Sequence, residues 1–568
     1  MHAHLIWLEG VDFDAHLEDT TNLSVIRGSS LGMLAAADFA LAFLQPRGYS
    51  LIFGGASLAL LRADVTAQAA EQHRDDLLAA LHKANGSPDP TGDSPPFAHL
   101  RFVAGVAADD GTPKGPRLAQ ARARRMQLSG GLLRPAPIVG KKECRFSGHR
   151  VGNHLLNLRK DHAASYNHQS PAQDEATLWE EAWISTSALA RWHYGRRQRQ
   201  LFYRGAGRGT IGQAVPPDHG FTENLQHMVQ LKAQSPANPG ADILLETLPL
   251  SLLGKIAVFY ADGNGFGAIR DAFGGTPDAL GSFARQADAV VQNGFAAALR
   301  CLTGPILAGQ PDPVLRAAAV FHDRFEKRRD YHQDQLRFET LFYGGDEISF
   351  VAPAWFGLAM AAAFFEAVRG AKAKAPDGTE HALTFKAGLA LVPVKMPIRA
   401  SYELAKDLAG KARRAGNGIA IHAFESMEPP PNGLAALREA LFGSEEVTPL
   451  LALDGDEFAE NLARLGRAQR SGALPRSQLF KLLRAAQWPS RSGAGFITPR
   501  RLGNPEANKA AATAYVTYRE KSDAADSTEA GGWLGWLKDT DKAAIAAWLL
   551  THLWDYVDPL SDHVGGGA

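Results

Sequence analysis

Two short stretches carry residue types that could do chemistry together. Leu341–Val351 (LFYGGDEISFV) places Asp346 and Glu347 directly after Gly344 and Gly345, between two apolar runs. That pattern predicts a β-hairpin with its tip at the glycines. Glycines at 344 and 345 can take positive φ and let a ligand approach the backbone closely. Lys255–Gly267 (KIAVFYADGNGFG) reads as an apolar strand running into a Gly-rich turn, with Asp262 at the strand end. A strand paired beside the hairpin brings Asp262 next to Asp346 and Glu347. Three carboxylates at one sheet edge repel one another unless a divalent cation joins them, and hard oxygen ligands favour Mg²⁺ or Mn²⁺. Either stretch alone also fits an ordinary turn with solvated acids; the pair points to metal-assisted chemistry.

The elements that must position these groups repeat. In the N-terminal part a strand at 4–8 is followed by a helix at 31–44, a hairpin at 49–61, a helix at 64–84, a strand at 100–107 and a basic helix at 117–128. Residues 255–423 give a strand to Ala261, helices at 278–300 and 311–334, the hairpin at 340–351, a helix at 356–373 and a strand at 383–392. A helix at 401–414 and a strand at 419–423 close the segment. Both read β-α-β-β-α-β with Gly-Gly in the hairpin, which predicts a diverged internal duplication. Aligning Gly54 and Gly55 with Gly344 and Gly345 sets Ala56 and Ser57 where Asp346 and Glu347 stand. Only the second copy can then hold metal at its hairpin.

Between the copies, Lys142–His149 (KECRFSGH) offers Cys144 and His149, short of the four ligands of a structural zinc site. Arg191–Arg208 holds six arginines among Trp192, His193, Tyr194, Phe202 and Tyr203, with no acid. Arg191, Arg196, Arg197, Arg199 and Arg204 would suit RNA phosphates with base stacking, or form a solvated basic face. Pro429, Pro430 and Pro431 break the chain, and the remainder to 557 reads as mostly helical.

The chain has 568 residues, 45% hydrophobic and 21% charged, so three or four domains of a soluble globular type are expected. No uninterrupted apolar run has the length of a membrane span, and the first residues lack the basic-then-apolar pattern of a signal peptide, so none is expected. With two cysteines, Cys144 and Cys301, a reducing cytoplasmic location is expected. Sixty basic and sixty acidic residues cancel, which argues against a protein that coats nucleic acid unaided.

With both hairpins placed, the chain resembles the large polymerase/cyclase subunit of type III CRISPR effector complexes. The resemblance rests on Arg27–Leu31 (RGSSL) before the acid-free hairpin Phe53–Ser57 (FGGAS), and on Asp262–Gly267 with Gly344–Glu347. Ala387–Ala390 (AGLA) and the helix with Lys406 and Lys411 also match. The match covers roughly residues 4–130 and 250–490. Departures are the absence of room for an N-terminal HD nuclease domain, a linker reduced to Cys144, Asn264 in place of a second strand-end acid, and a GGDE hairpin closer to diguanylate cyclases. The pair His322–Asp323 falls inside the second copy and is not expected to form a nuclease.

The resemblance implies an α+β fold with two ferredoxin-like palm domains at 1–134 and 246–428. A linking domain at 135–245 and a helical domain at 429–568 complete it. It implies nucleotidyl transfer with two Mg²⁺ or Mn²⁺ held by Asp262, Asp346 and Glu347, ATP as substrate and a cyclic oligoadenylate as product. Gly263, Asn264, Phe266, Gly344, Gly345 and Lys411 would bind the donor nucleotide, and Gly54 and Gly55 an acceptor across one cleft. Implied partners are guide RNA, target RNA and sibling subunits, with no membrane. A stand-alone nucleotide cyclase and a catalytically silent guide-RNA scaffold are the alternatives.

Overall fold

The structure, a computed structural model, describes residues 3–12, 16–17, 19–20, 22–55, 57–83, 91–129, 142–156, 182–204, 209–222, 224–231, 240–309, 312–322, 334–412, 415–442, 452–487, 502–521 and 532–560. It is a mixed α+β structure with several sheets and many helices. The first sheet is built from β1 (Ala3–Val11), α1 (Leu23–Leu44), β2 (Ser50–Gly55), β3 (Leu58–Asp64), α2 (Ala67–Leu81), β4 (Arg101–Ala108) and α3 (Lys114–Ser129). Its strands lie in the order β2-β3-β1-β4, all antiparallel.

After α4 (Thr186–Arg204), the second sheet uses β5 (Lys255–Gly263), α5 (Pro277–Leu307), β6 (Glu339–Gly344), β7 (Glu347–Pro353), α6 (Ala354–Val368) and β8 (Phe385–Pro393). It is extended by α7 (Ile398–Lys411), β9 (Gly418–Ala423) and β10 (Leu453–Asp454), giving the order β6-β7-β5-β8-β9-β10. The first four strands repeat the order of the first sheet. β9 is added parallel to β8, which an α7 crossover allows.

β5 is apolar on both faces because both are covered. Ile256, Val258 and Tyr260 pack with α7 residues Leu404, Ala405 and Leu408. Ala257, Phe259 and Ala261 belong to the larger core shared with α5, α6 and the C-terminal helices. This two-sided burial holds the end of β5, and so Asp262, on a rigid support.

The helix expected at 31–44 starts at Leu23, capped by the Asn22 side chain, which accepts from the Ser24 and Val25 amides. Arg27–Ser30 therefore lies within the helix. It is tolerated because α1 crosses α4 at glycines: a Cβ on Gly28 would sit 1.8 Å from the Arg191 carbonyl oxygen, and one on Gly195 would sit 2.0 Å from that of Ser24. Gly28→Ala is expected to cost about 1–3 kcal/mol or more by overpacking, read as a lower urea midpoint. α1 is also long and apolar enough to cross a bilayer by length and composition, yet 67% of that window is buried inside the fold. Its packing is that of a core helix.

The two sheets are joined reciprocally. α1 packs on β6, the edge strand of the second sheet, and α5 packs on β2, the edge strand of the first. At the second contact Leu280 shares a cluster with Trp7, Leu60, Ile52 and Phe53. At the first, Arg27 Nε donates to Glu339 Oε1 at 2.7 Å, Nη2 pairs with Oε2, and Nη1 donates to the Gly195 carbonyl at 3.1 Å. Both side chains of this ion pair are buried.

The helix expected at 311–334 is not formed as such. Pro313–Ala319 is helical, and Val320–His322 then pairs antiparallel with Asp334–Leu336. β-branched and aromatic Val320 and Phe321 favour the extended form once a partner strand is present. Asp323 lies outside the described residues; His322 Nδ1 instead meets Asp334 Oδ1 at 2.7 Å.

Candidate active site at the second hairpin

The register of the second sheet puts three ionisable residues in one row. Glu347 on β7 faces Asp262 on β5, and Asp262 faces Lys386 on β8. Directly opposed residues on neighbouring antiparallel strands share a face, so these side chains meet. Lys386 Nζ lies 2.5 Å from Asp262 Oδ2. Asp346 is tied to the same strand end, since the Gly263 amide donates to its carbonyl at 3.1 Å.

The hairpin turns at Gly345 and Asp346, with Gly344 paired to Glu347. Gly345 has φ of 61° and Asp346 is not in the left-handed region, which is the type II′ pattern that glycine serves at the first central position. Beyond a Gly345 Cβ there would be open space, so the tip is accessible from solvent.

Electrostatically the row is acidic and half-buried. Burial, then the Asp262 charge, pushes the Asp346 carboxyl up to about 6. The same two causes, with Asp346 adding to them, push Glu347 up to about 7. Tyr260, two residues before Asp262, packs edge-on to Tyr402 of α7 and hydrogen-bonds Glu347; burial and that carboxylate raise its phenol well above the ordinary range.

A pH dependence follows. Both carboxyls bind protons more tightly folded than unfolded, so the folded state holds extra protons between the ordinary values of 3.8 and 4.5 and the raised values near 6 and 7. This contribution to stability is full below that window and is lost as pH rises through it. Metal-free protein is therefore expected to lose melting temperature between about pH 4 and pH 7, and Asp346→Asn with Glu347→Gln should flatten that decline.

Hard carboxylate oxygens with raised proton affinity form a donor set suited to a divalent cation. As the side chains stand, no group of three His, Cys, Asp or Glu among the described residues is closed around one point. Asp262 is instead engaged by Lys386.

Other expected nucleotide contacts are placed differently. Phe266 is buried, packing on Phe283 and Phe385, and a Cβ on Gly263 would lie 2.6 Å from its ring. It is a core residue sealing the turn, and is not available to a base. Asn264 donates through Nδ2 to Thr384 Oγ1 and to the Gly416 carbonyl, both at 3.2 Å, and its amide donates to the Thr384 carbonyl at 2.7 Å. The amides of Gly263 and Asn264 are thus committed within the protein. Of the helix lysines, Lys406 is the one whose charge acts on Glu347, whereas Lys411 is exposed at the end of α7 and acts on Asp407.

The first hairpin corrects the alignment by one residue. Gly55 pairs with Leu58, so the turn falls between them and includes Ser57; Ala56 lies outside the described residues. Both hairpin strands carry an irregularity, between Leu51 and Phe53 and between Thr340 and Phe342, and these fix the correspondence. Gly55 then matches Gly344, Ser57 matches Asp346, Leu58 matches Glu347, and Gly54 matches Tyr343. Glu9, opposite Leu58, takes the place of Asp262, and Val103 that of Lys386. The Gly10 amide donates to the Ser57 carbonyl at 2.5 Å, repeating the Gly263–Asp346 bond, and Asp12 repeats the positive φ of Gly265. A Cβ on Gly54 would meet Ala37 Cβ at 2.8 Å, so Gly54 serves helix packing, while Gly55 faces open space.

The arginine-rich helix α4 turns much of its charge inward. Arg191 is fully buried, paired with Asp19 at 2.9 Å and donating to the His16 carbonyl; Arg199 is buried and donates to the Thr222 carbonyl. Neither can meet an RNA phosphate in this conformation. Arg197 pairs with Asp93, and Arg196 lies over the Trp192 ring. The side chain of Arg204 lies outside the described residues. Trp192, Tyr194, Phe202 and Tyr203 are core residues. Helical packing on several sides, not RNA stacking, accounts for these aromatics.

Sequence reasoning missed Lys386, Tyr260 and Glu339. Lys386 had a signal: it is a lone charge in the apolar strand FKAGLALVP.

No family model matches the chain, and no curated protein matches it. Among solved structures it is similar to Csm1 from T. onnurineus, with 13% identity and a TM-score of 0.48 over 98% of this chain and 70% of that chain. A Csm1–Csm4 cassette in complex with one ATP matches with 11% identity and a TM-score of 0.48, again over 98% and 70%. A Csm1–Csm4 cassette in complex with cA4 matches with 12% identity and a TM-score of 0.45 over 96% and 70%.

Proposed function

We propose that the second sheet carries a palm-type nucleotidyl-transfer centre, and that the chain is the large subunit of a type III CRISPR effector complex, converting ATP to a cyclic oligoadenylate. The observation that carries this reading is the in-register approach of Asp262 and Glu347, with Asp346 tied alongside at an open glycine turn. The motif resemblance at 27–31, 53–57, 262–267 and 344–347 supplies the family and the choice of ATP. On this reading residues 1–134 and 246–428 are the two palms, 135–245 links them and 429–568 is the helical domain.

Asp262, Asp346 and Glu347 would hold two Mg²⁺ or Mn²⁺. Bound there, the ions supply charge neutralisation at the triphosphate and lower the pKa of the attacking ribose hydroxyl. The protein's own part is positioning. The open turn at Gly345 lets the triphosphate approach the backbone, and α7 brings the Lys406 charge toward the same row. The first hairpin, with Gly55 open and no acid at Ser57 or Leu58, would present the acceptor nucleotide without metal. Holding both nucleotides in one cleft replaces a bimolecular encounter, an effect on the order of 7–11 kcal/mol at its upper range.

The test is incubation of the purified protein with each NTP and Mg²⁺ or Mn²⁺, with and without a guide–target RNA complex and partner subunits. Rings of 3′–5′-linked adenylate from ATP are expected. A cyclic dinucleotide from GTP would move the protein to the diguanylate cyclase class, and no turnover under any condition would leave a scaffold.

A further inference from the structure

We propose that Lys386 is a resident counter-ion that holds Asp262 when no metal is bound and competes with the divalent cation for its carboxylate. This rests on the metal-binding reading of the second hairpin and concerns a residue that reading does not use.

Three observations carry it. Lys386 is the direct cross-strand neighbour of Asp262 on the side away from Glu347, and its ammonium sits 2.5 Å from Oδ2. An ammonium at that distance occupies the space in which a cation would meet the same oxygen, and two positive charges cannot share it cheaply. Both side chains are less than one-fifth exposed, so water screens the contact poorly. The comparison within the chain is the second observation: the first sheet keeps a lone acid, Glu9, at the place of Asp262, but it has Ser57 and Leu58 in place of the hairpin acids and Val103 in place of Lys386, so the lysine goes with the cluster of carboxylates and not with a single one. The third is that the three carboxylates do not close around one point while the lysine holds Asp262.

Without a cation, the Asp262 charge faces Asp346 and Glu347, with Arg270 acting on the first and Lys406 on the second to offset it in part. Lys386 supplies one positive charge from within the sheet, so the metal-free hairpin keeps its geometry. When a divalent cation arrives, it must displace the ammonium from Oδ2. Apparent metal affinity is then set partly by the strength of the lysine–aspartate pair, and the released ammonium is left beside the row, in reach of an incoming anionic group.

The experiment uses full-length protein stripped of metal, with Mn²⁺ as the probe and binding followed by electron paramagnetic resonance. Lys386→Met is expected to bind Mn²⁺ at least tenfold more tightly than the unaltered protein and to melt lower without metal. Its melting temperature should rise more on adding Mn²⁺. Lys386→Arg, which keeps the charge, should stay close to the unaltered protein and guards against a misfolded variant. If the unaltered protein binds Mn²⁺ through Asp346 and Glu347 but Lys386→Met binds no more tightly, the counter-ion role is overturned and the site reading stands. If none of the proteins binds Mn²⁺ at the hairpin, the site reading itself fails.

Discussion

Replacing Asp346 and Glu347 together by alanine is expected to lower NTP turnover at least about 10³-fold, equivalent to about 4 kcal/mol of barrier. The two side chains stand at the tip and first strand residue of a hairpin whose backbone pairing does not depend on them. The fold should therefore survive. At pH 8 the metal-free variant should melt no lower than the unaltered protein, because two carboxyls that resist ionisation in the folded state have been removed. Product analysis with Mn²⁺ and ATP reads the first effect and a thermal melt the second. Unchanged product formation would place the chemistry elsewhere in the chain.

The second large effect belongs to Arg27. Its guanidinium makes two contacts with Glu339 and one with the Gly195 carbonyl, and both partners of the ion pair are buried. Arg27→Met strands a buried carboxylate and is expected to destabilise the protein by about 3–5 kcal/mol. Arg27→Met with Glu339→Met should recover most of that loss, since a well-packed apolar pair of similar volume is often as stable as the ion pair it replaces. Denaturation midpoints for the two singles and the double complete the cycle. Additive losses in the double variant would mean that the two side chains are not coupled. Glu339 begins the strand that leads into Gly344, so Arg27→Met should also reduce Mn²⁺ affinity at the hairpin, and the double variant should restore it.

The parts of the site that could be read from sequence are those encoded within a few residues. The hairpin at 340–351 and the strand ending at Asp262 have local signatures, apolar runs broken by glycine, and both form where expected. Non-local pairing could not be read. Lys386 meets Asp262 across 124 positions and Arg27 meets Glu339 across 312, and no local pattern announces either. The one-residue error at Gly54 and Gly55 has a similar cause. The same strand irregularity occurs in both hairpins, so the offset lies in the glycines themselves, which sit one residue earlier relative to the turn in the first hairpin, and only the hydrogen-bonded register reveals it. Arg191–Arg204 misled in another way. Its composition suits a nucleic-acid surface, but α4 is packed on several sides, so arginines that look free in sequence meet Asp19 and backbone carbonyls supplied from far away. Phe266 was misplaced because a ring beside a Gly-rich turn looks accessible until the turn folds the ring back over Gly263.

The reciprocal seating of α1 on β6 and α5 on β2 bears on how the molecule can be taken apart. Edge strands are where sheets of separate molecules join, and each half of this protein relies on the other half's helix to cover its edge. Cutting the chain between the halves would bare two hydrogen-bonding edges at once, along with the buried Arg27 or Glu339. Neither half is a ready-made independent module, and fragments expressed alone would tend to pair edge to edge into aggregates. The same geometry joins the halves during synthesis. The first sheet leaves the ribosome with β2 uncovered and stays in that exposed state until α5, more than two hundred residues later, has been made.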